Sequence, residues 1–161
     1  MEGIGTVIGK KAPDFTLKDH HGGTVTLSQV SAVAPTILAF YPGDFTPVCT
    51  KQMCNYRDNF ENFIKFGVQV FGISHNDTEK HVEFAEKYDF PFLLLSDPDH
   101  LVAKSYGCTS LLMFGQVSRA VFIINTKGYI LYRYVEPTIL THRNAGELVK
   151  ILEDLKKNNL L

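Results

Sequence analysis

Short apolar runs separated by turn-prone clusters fill most of this chain, and their periods divide it into strands and helices. Alternation over Asp14 to Lys18 and over Thr24 to Leu27, on either side of the turn-prone His20-His21-Gly22-Gly23, predicts an N-terminal hairpin. Pro35 to Pro42 is an apolar run bounded by prolines and reads as a buried strand. Over residues 47–65, Phe60, Phe63 and Ile64 fall near helical spacing and Gly67 follows, which predicts one helix. Residues 68–74 repeat the buried-strand pattern, and 78–89 read as an amphipathic helix capped by Asp77 or Thr78. Residues 90–97 form a further strand, and 99–107 a short helix stopped by Gly107. Within 119–136, two strands flank the hairpin signal Asn125 to Gly128. Over 145–157, Leu148, Ile151, Leu152 and Leu155 share one face of a C-terminal helix.

The order β-β-β-α-β-α-β-α-β-β-α alternates in its middle and ends in a hairpin. The fold class is therefore α/β, a central mixed sheet flanked by helices with an N-terminal hairpin. Alternation alone also fits a flavodoxin-like sheet. No repeat, linker or low-complexity stretch interrupts the pattern, and 161 residues at 45% hydrophobic suit one domain over residues 1–161.

Charge narrows the partners. Sixteen Lys+Arg against seventeen Asp+Glu give a net charge of -1, which disfavours nucleic acid and anionic membrane as partners. The start MEGIGTVIGKK lacks the basic and apolar regions of a signal peptide. No apolar stretch approaches the roughly 18 residues of a membrane span. A soluble, cytoplasmic chain is expected, and in a reducing compartment any disulfide among its three cysteines should be functional rather than structural.

Two of those cysteines lie five residues apart in YPGDFTPVCTKQMCNYRDNF, residues 41–60. With Thr46 as N-cap and Pro47 as the first helical residue, Cys49 falls in the first turn. Unsatisfied N–H groups and the positive end of the helix dipole favour a thiolate there, so Cys49 is a candidate nucleophile. The Thr46 hydroxyl lies near the same turn, free either to accept from backbone N–H or to donate to a sulfur or a substrate oxygen. Pro42 fixes the approach of the loop. On their own, Thr46 could be a cap only and Pro42 a strand terminator only.

Cys54 is the sharper clue. On a continuous helix, five residues separate two Cα atoms by about 8.5 Å on divergent faces, and a disulfide wants at most about 7 Å. The pair is thus either two inert thiols or a pair that bridges only after local unfolding. Thioredoxin-type exchange would use C-x-x-C, and zinc would need two such pairs or a pair of histidines. Neither pattern is present. His75, His81, His100 and His142 stand singly, and His20 with His21 occupies the hairpin turn; each reads as a surface or packing residue, and no cofactor or metal is expected. Cys108, after Gly107, reads as a structural or incidental thiol, with a backup resolving or intermolecular role as the other reading. Phe45, Val48 and Phe114 are candidate apolar walls for a substrate pocket.

PGDFTPVC, Pro42 to Cys49, resembles the P-x-x-x-T-x-x-C motif of peroxiredoxins, thiol peroxidases with a thioredoxin-like fold. TPVCTKQMCNYRD is similar to the subgroup called bacterioferritin comigratory protein or peroxiredoxin Q, whose second cysteine stands five residues after the first. GKKAPDFTLKDHHGGTVTLSQ resembles the family's opening pattern, and RAVFIINTKGYI the stretch that supplies its active-site arginine. The resemblance implies a peroxidatic Cys49, motif partners Thr46 and Pro42, a thiolate-stabilising Arg119 and a resolving Cys54. The residues by themselves do not choose Arg119 over Arg57, Arg133 or Arg143. Arg57 stands roughly 12 Å along a helix from Cys49 and reads as a solvated or packing residue.

The implied substrate is hydrogen peroxide or an organic hydroperoxide, and the implied reductant is thioredoxin or a similar dithiol. The thiolate would attack one peroxide oxygen while Thr46, Arg119 and the first-turn N–H groups stabilise the leaving oxygen. A monomer or weak homodimer is expected. Two other classes share the fold: a general thiol-disulfide oxidoreductase, which should carry C-x-x-C, and a non-catalytic binding module, which should tolerate Cys49→Ser.

Overall fold

The computed structural model of the chain describes residues 8–110, 115–138 and 140–161. Nine strands are described: β1 (Thr16–Asp19), β2 (Thr24–Thr26), β3 (Thr36–Phe40), β4 (Gln69–Ser74), β5 (Leu93–Ser96), β6 (Thr109–Ser110), β7 (Gln116–Val117), β8 (Ala120–Ile124) and β9 (Ile130–Val135). Six helices accompany them: α1 (Leu27–Val33), α2 (Pro47–Asp58), α3 (Phe60–Lys65), α4 (Thr78–Tyr88), α5 (Leu101–Ser105) and α6 (Ala145–Lys157). Seven strands form one sheet in the order β2-β1-β5-β4-β3-β8-β9, and β6 with β7 forms a separate ribbon. The β3–β4 and β4–β5 pairs are parallel and joined by helical crossovers, whereas β1–β2, β1–β5, β3–β8 and β8–β9 are antiparallel. This is the mixed sheet with an N-terminal hairpin that the pattern predicts.

Every residue of β3 and of β8 is buried, which is why both read as uninterrupted apolar runs. Side chains alternate between two cores. Ile37, Ala39, Val121 and Ile123 pack against α2, α3, α4 and α6, whereas Leu38, Phe40, Phe122 and Ile124 pack against α1 and α5. A residue's face of the sheet therefore decides which helices it can meet.

Several features differ from the expected pattern, the β6–β7 ribbon among them, since its two-residue strands carry no periodic signal. The helix expected over residues 47–65 is two, broken at Asn59, whose φ of -112° and ψ of 13° leave the helix. The Asn59 side-chain amide donates to the Asn55 carbonyl at 2.9 Å, a local bond that competes with helix continuation. Helix α1 falls in a stretch that carries no expectation, because its seven residues bury only Leu27 and Ser31 and make too short a periodic signal. Strand β5 begins at Leu93, since the Phe90 N–H is drawn back to the Ala85 carbonyl of α4 at 3.0 Å. Helix α5 begins at Leu101 because His100 sits at a φ of 58°, outside the helical region. Of the two possible caps of α4, Asp77 is the one used, accepting from the Lys80 N–H at 2.8 Å.

Candidate active site

Strand β3 lies inside the sheet between β4 and β8, and residues 41–46 carry the chain from its end to the start of α2. Pro47 opens the helix and Thr46 takes the N-cap position with φ of -70° and ψ of 145°. The Thr46 side chain makes no cap, however. Its hydroxyl donates to the Gly43 carbonyl at 3.0 Å, which commits the proton to the loop and leaves the oxygen lone pairs to accept a hydrogen bond. Of the two readings left open for Thr46, donation to a sulfur or substrate would first have to break this bond, whereas acceptance would not. The N–H groups of Val48 and Cys49 lie in the first turn, where no intrahelical carbonyl reaches them.

Cys49 is 0% exposed, with its sulfur on the inner face of that first turn. Arg119 is 3% exposed and immediately precedes β8. Because Ala120 pairs with Phe40 across β3 and β8, Arg119 stands beside the loop that leads to α2. Its Nη2 donates to Cys49 Sγ at 3.0 Å and its Nη1 to the Thr141 carbonyl at 3.2 Å. A guanidinium so placed offers a charge-assisted bond to an anionic sulfur. Of the other arginines, Arg57 donates to the Tyr88 carbonyl at 2.7 Å, Arg143 pairs with Glu147 at 3.0 Å while stacking on Tyr134, and Arg133 stands opposite Phe122 on the Cys108 side of the sheet.

Pro42, Thr46, Val48, Arg119 and Leu140 line a cleft of about 390 Å³. Val48 stands where a pocket wall was expected, and Phe114 lies outside the described residues. Phe45 does not form a wall. At a φ of 63° its ring turns into α4, 5.0 Å from the Phe84 ring, with the Lys80 and Lys87 ammonium groups 5.0 and 5.7 Å from its centre. A left-handed phenylalanine costs roughly 1–3 kcal/mol, offset here by packing of the ring.

A buried polar cluster braces the same loop. Tyr41 Oη donates to Asp44 Oδ1 at 2.6 Å, His81 Nδ1 lies 2.6 Å from Asp44 Oδ2, and the Asp44 N–H donates to Asn76 Oδ1 at 2.8 Å. His81 Nε2 faces the Leu95 carbonyl at 3.0 Å, which can only accept, so Nε2 donates to it. Burial, and then the Asp44 charge, push the Tyr41 phenol well up, so it remains a donor. Reading His81 as a surface or packing residue misses this bond. The i, i+3, i+4 set His81, Phe84 and Ala85, all buried on α4, is the signal that points it inward.

The remaining cysteines occupy different environments. Cys54 is partly exposed on the intact α2, unpaired, and burial pushes its thiol up. Cys108 is 1% exposed and belongs to the core on the opposite side of the sheet from Cys49. Its thiol donates to the Ala103 carbonyl at 3.2 Å, and burial pushes it up strongly.

The AhpC/TSA family matches residues 8–133. The chain is 36% identical over 155 residues to peroxiredoxin Bcp of Bacillus subtilis (strain 168), covering 93% of this chain and 97% of that protein. It is 42% identical over 147 residues to a chloroplastic peroxiredoxin Q of Triticum aestivum, covering 91% of this chain and 67% of that one. The crystal structure of peroxidoxin BcpB from Mycobacterium tuberculosis superposes with a TM-score of 0.82 at 30% identity, covering 94% and 97% of the two chains. With the arginine, the helix-start cysteine and the sheet order all in place, this chain belongs to the AhpC/TSA family and is a thiol peroxidase similar to the Bcp and peroxiredoxin Q peroxiredoxins.

Proposed function

We propose that Cys49 is the peroxidatic cysteine and that Cys54 resolves its sulfenic acid as an intramolecular disulfide. The observation that carries this reading is the 3.0 Å bond from Arg119 to Cys49 Sγ at the first turn of α2. The Cys49 thiolate attacks one oxygen of the peroxide, the O–O bond breaks, and the leaving oxygen takes a proton and departs as water or alcohol. Arg119 and the first-turn N–H groups donate to the developing charge. The Thr46 oxygen accepts from the peroxide O–H, and Pro42 closes the cleft behind it. The apolar Val48 and Leu140 at the cleft favour organic hydroperoxides alongside hydrogen peroxide.

Resolution follows once the start of α2 unwinds and Cys54 reaches the Cys49 sulfenic acid. Thioredoxin or a similar dithiol reduces the resulting disulfide. On this reading the protein works in the cytoplasm as a monomer or weak homodimer. Cys108, on the far side of the sheet, takes no part. The test is steady-state peroxide consumption with a thioredoxin system for wild type and for Cys49→Ser, Cys54→Ser and Cys108→Ser. Loss of turnover is expected for the first, loss of disulfide-dependent recycling for the second, and wild-type turnover for the third. A peptide link from Cys49 to Cys108 after one equivalent of peroxide would remove Cys54 from the resolving role.

A further inference from the structure

Resolution leaves a proton unaccounted for. Only a thiolate attacks sulfur, and the Cys54 thiol is pushed up by burial, so at neutral pH it needs an acceptor for its proton. Cys54 opens onto a cleft of about 520 Å³ whose other walls are Lys51, Asn55, Asp58, His142 and Asn144; it is separate from the cleft lined by Thr46 and Arg119. His142 is the one imidazole among those walls.

The loop that carries His142 is tied to both cysteine sites. On one side, the Thr141 carbonyl accepts from Arg119, the residue that binds Cys49 Sγ. On the other, the Arg143 carbonyl accepts from Tyr56 Oη at 2.8 Å and the Ala145 N–H donates to Asn55 Oδ1 at 2.6 Å. Asn55 and Tyr56 directly follow Cys54 on α2. These anchors lie beyond the segment that must unwind, so His142 stays with the Cys54 end of the helix while the Cys49 end opens.

We propose that His142 is the proton carrier of the resolving step: its neutral imidazole takes the Cys54 thiol proton and returns it to the oxygen that leaves Cys49. The inference rests on the reading of Cys54 as the resolving cysteine. The step balances: the Cys54 sulfur attacks the Cys49 sulfenic sulfur, the S–S bond forms as the S–O bond breaks, and hydroxide leaves and becomes water with the proton from imidazolium. The Cys54 sulfur is oxidised and the Cys49 sulfur reduced. The charges around the ring suit an acceptor. Burial first, then Arg119, with Lys51 adding to them, hold the imidazolium form down, against Glu136 and Glu147 acting the other way. Asp58 shares the cleft.

The experiment is a single-turnover quench. The chain has no tryptophan to report the step, so reduced enzyme is mixed with one equivalent of hydrogen peroxide, alkylated at set times and read by mass spectrometry for sulfenic acid and disulfide separately. In His142→Gln, sulfenic acid should still form while disulfide formation slows by about 100-fold at pH 7. Added imidazole should restore part of the rate, and raising the pH until Cys54 ionises unaided should bring variant and wild type together. With excess peroxide, the lingering sulfenic acid should pass on to sulfinic acid. Disulfide formation at the wild-type rate in the variant, or a slowing that neither imidazole nor pH relieves, overturns the proposal. If wild type forms no Cys49–Cys54 link, the resolving role of Cys54 falls and the inference falls with it.

Discussion

Replacing Arg119 with methionine removes the charged donor that meets the Cys49 sulfur while keeping most of the side-chain volume. At 3.0 Å, two unit charges attract by about 5 kcal/mol at an effective dielectric of 20, a gross figure. Much of it is offset by the cost of taking both groups out of water, and hydrogen bonds to charged groups net about 1.5–3 kcal/mol. At about 1.4 kcal/mol per factor of ten, the second-order rate of Cys49 oxidation should fall roughly 10- to 150-fold. The assay is sulfenic acid trapping against hydrogen peroxide concentration in a Cys54→Ser background, so that resolution does not enter the rate. Arg119→Lys should recover only part of the loss, because a single ammonium cannot serve both Cys49 Sγ and the Thr141 carbonyl with the arginine fork's geometry. An Arg119→Met enzyme oxidised within threefold of the wild-type rate, with its fold intact by thermal melting, would refute the reasoning.

Oxidation to the Cys49–Cys54 disulfide should remove amide-exchange protection from residues 49–54 and leave the sheet protected, with Asn55 and Tyr56 still tied to Ala145 and Arg143; equal protection in reduced and oxidised protein would contradict this. Cys108→Ser should destabilise the fold by about 1–3 kcal/mol, since a hydroxyl enters an apolar core, while peroxide turnover stays within twofold; chemical denaturation and the coupled assay read the two effects. Stability should also fall on acidification. Burial and then His21 lower the pKa of His20, whose Nδ1 accepts from the Leu94 N–H at 3.0 Å, so the folded state binds its proton less readily than the unfolded chain. The contribution is present above about 6.5, the unfolded value, and is lost as pH falls through the lower folded value. Melting temperatures at pH 7.5 and 5.5 should therefore diverge more for wild type than for His20→Asn.

Much of the fold was legible because its signals are short-range. Helix α6 occupies 145–157 as its leucine spacing predicts, and β3, β4, β8 and β9 follow their apolar runs. The boundaries that moved were decided by particular bonds. Asn59 turns its amide onto Asn55, Phe90 reaches back to Ala85, and His100 adopts a left-handed backbone that apolar periodicity does not register. At the site, the Pro47 start of α2 and the place of Cys49 in its first turn were readable from T-P-V-C. The direction of the Thr46 hydroxyl was not, because its partner, the Gly43 carbonyl, is fixed by the path of the loop. Asp44 sat unremarked inside the motif, since its partner His81 lies 37 residues away on another helix.

The sequence by itself determined the main strands and the alternating helices between them, the helix start under Cys49, and a cysteine pair too far apart to bridge on an intact helix. Those properties depend on residues within a turn or two of one another. Tertiary structure decided which arginine meets Cys49, on which side of the sheet Cys108 is buried, and that the His142 loop touches α2 beside Cys54. Each depends on strand register or on a loop crossing the molecule: Phe40 opposite Ala120 sets Arg119 beside a cysteine 70 residues away. A local pattern of apolar and polar residues specifies which face of an element is buried, and only the pairing of distant elements specifies what that face will touch.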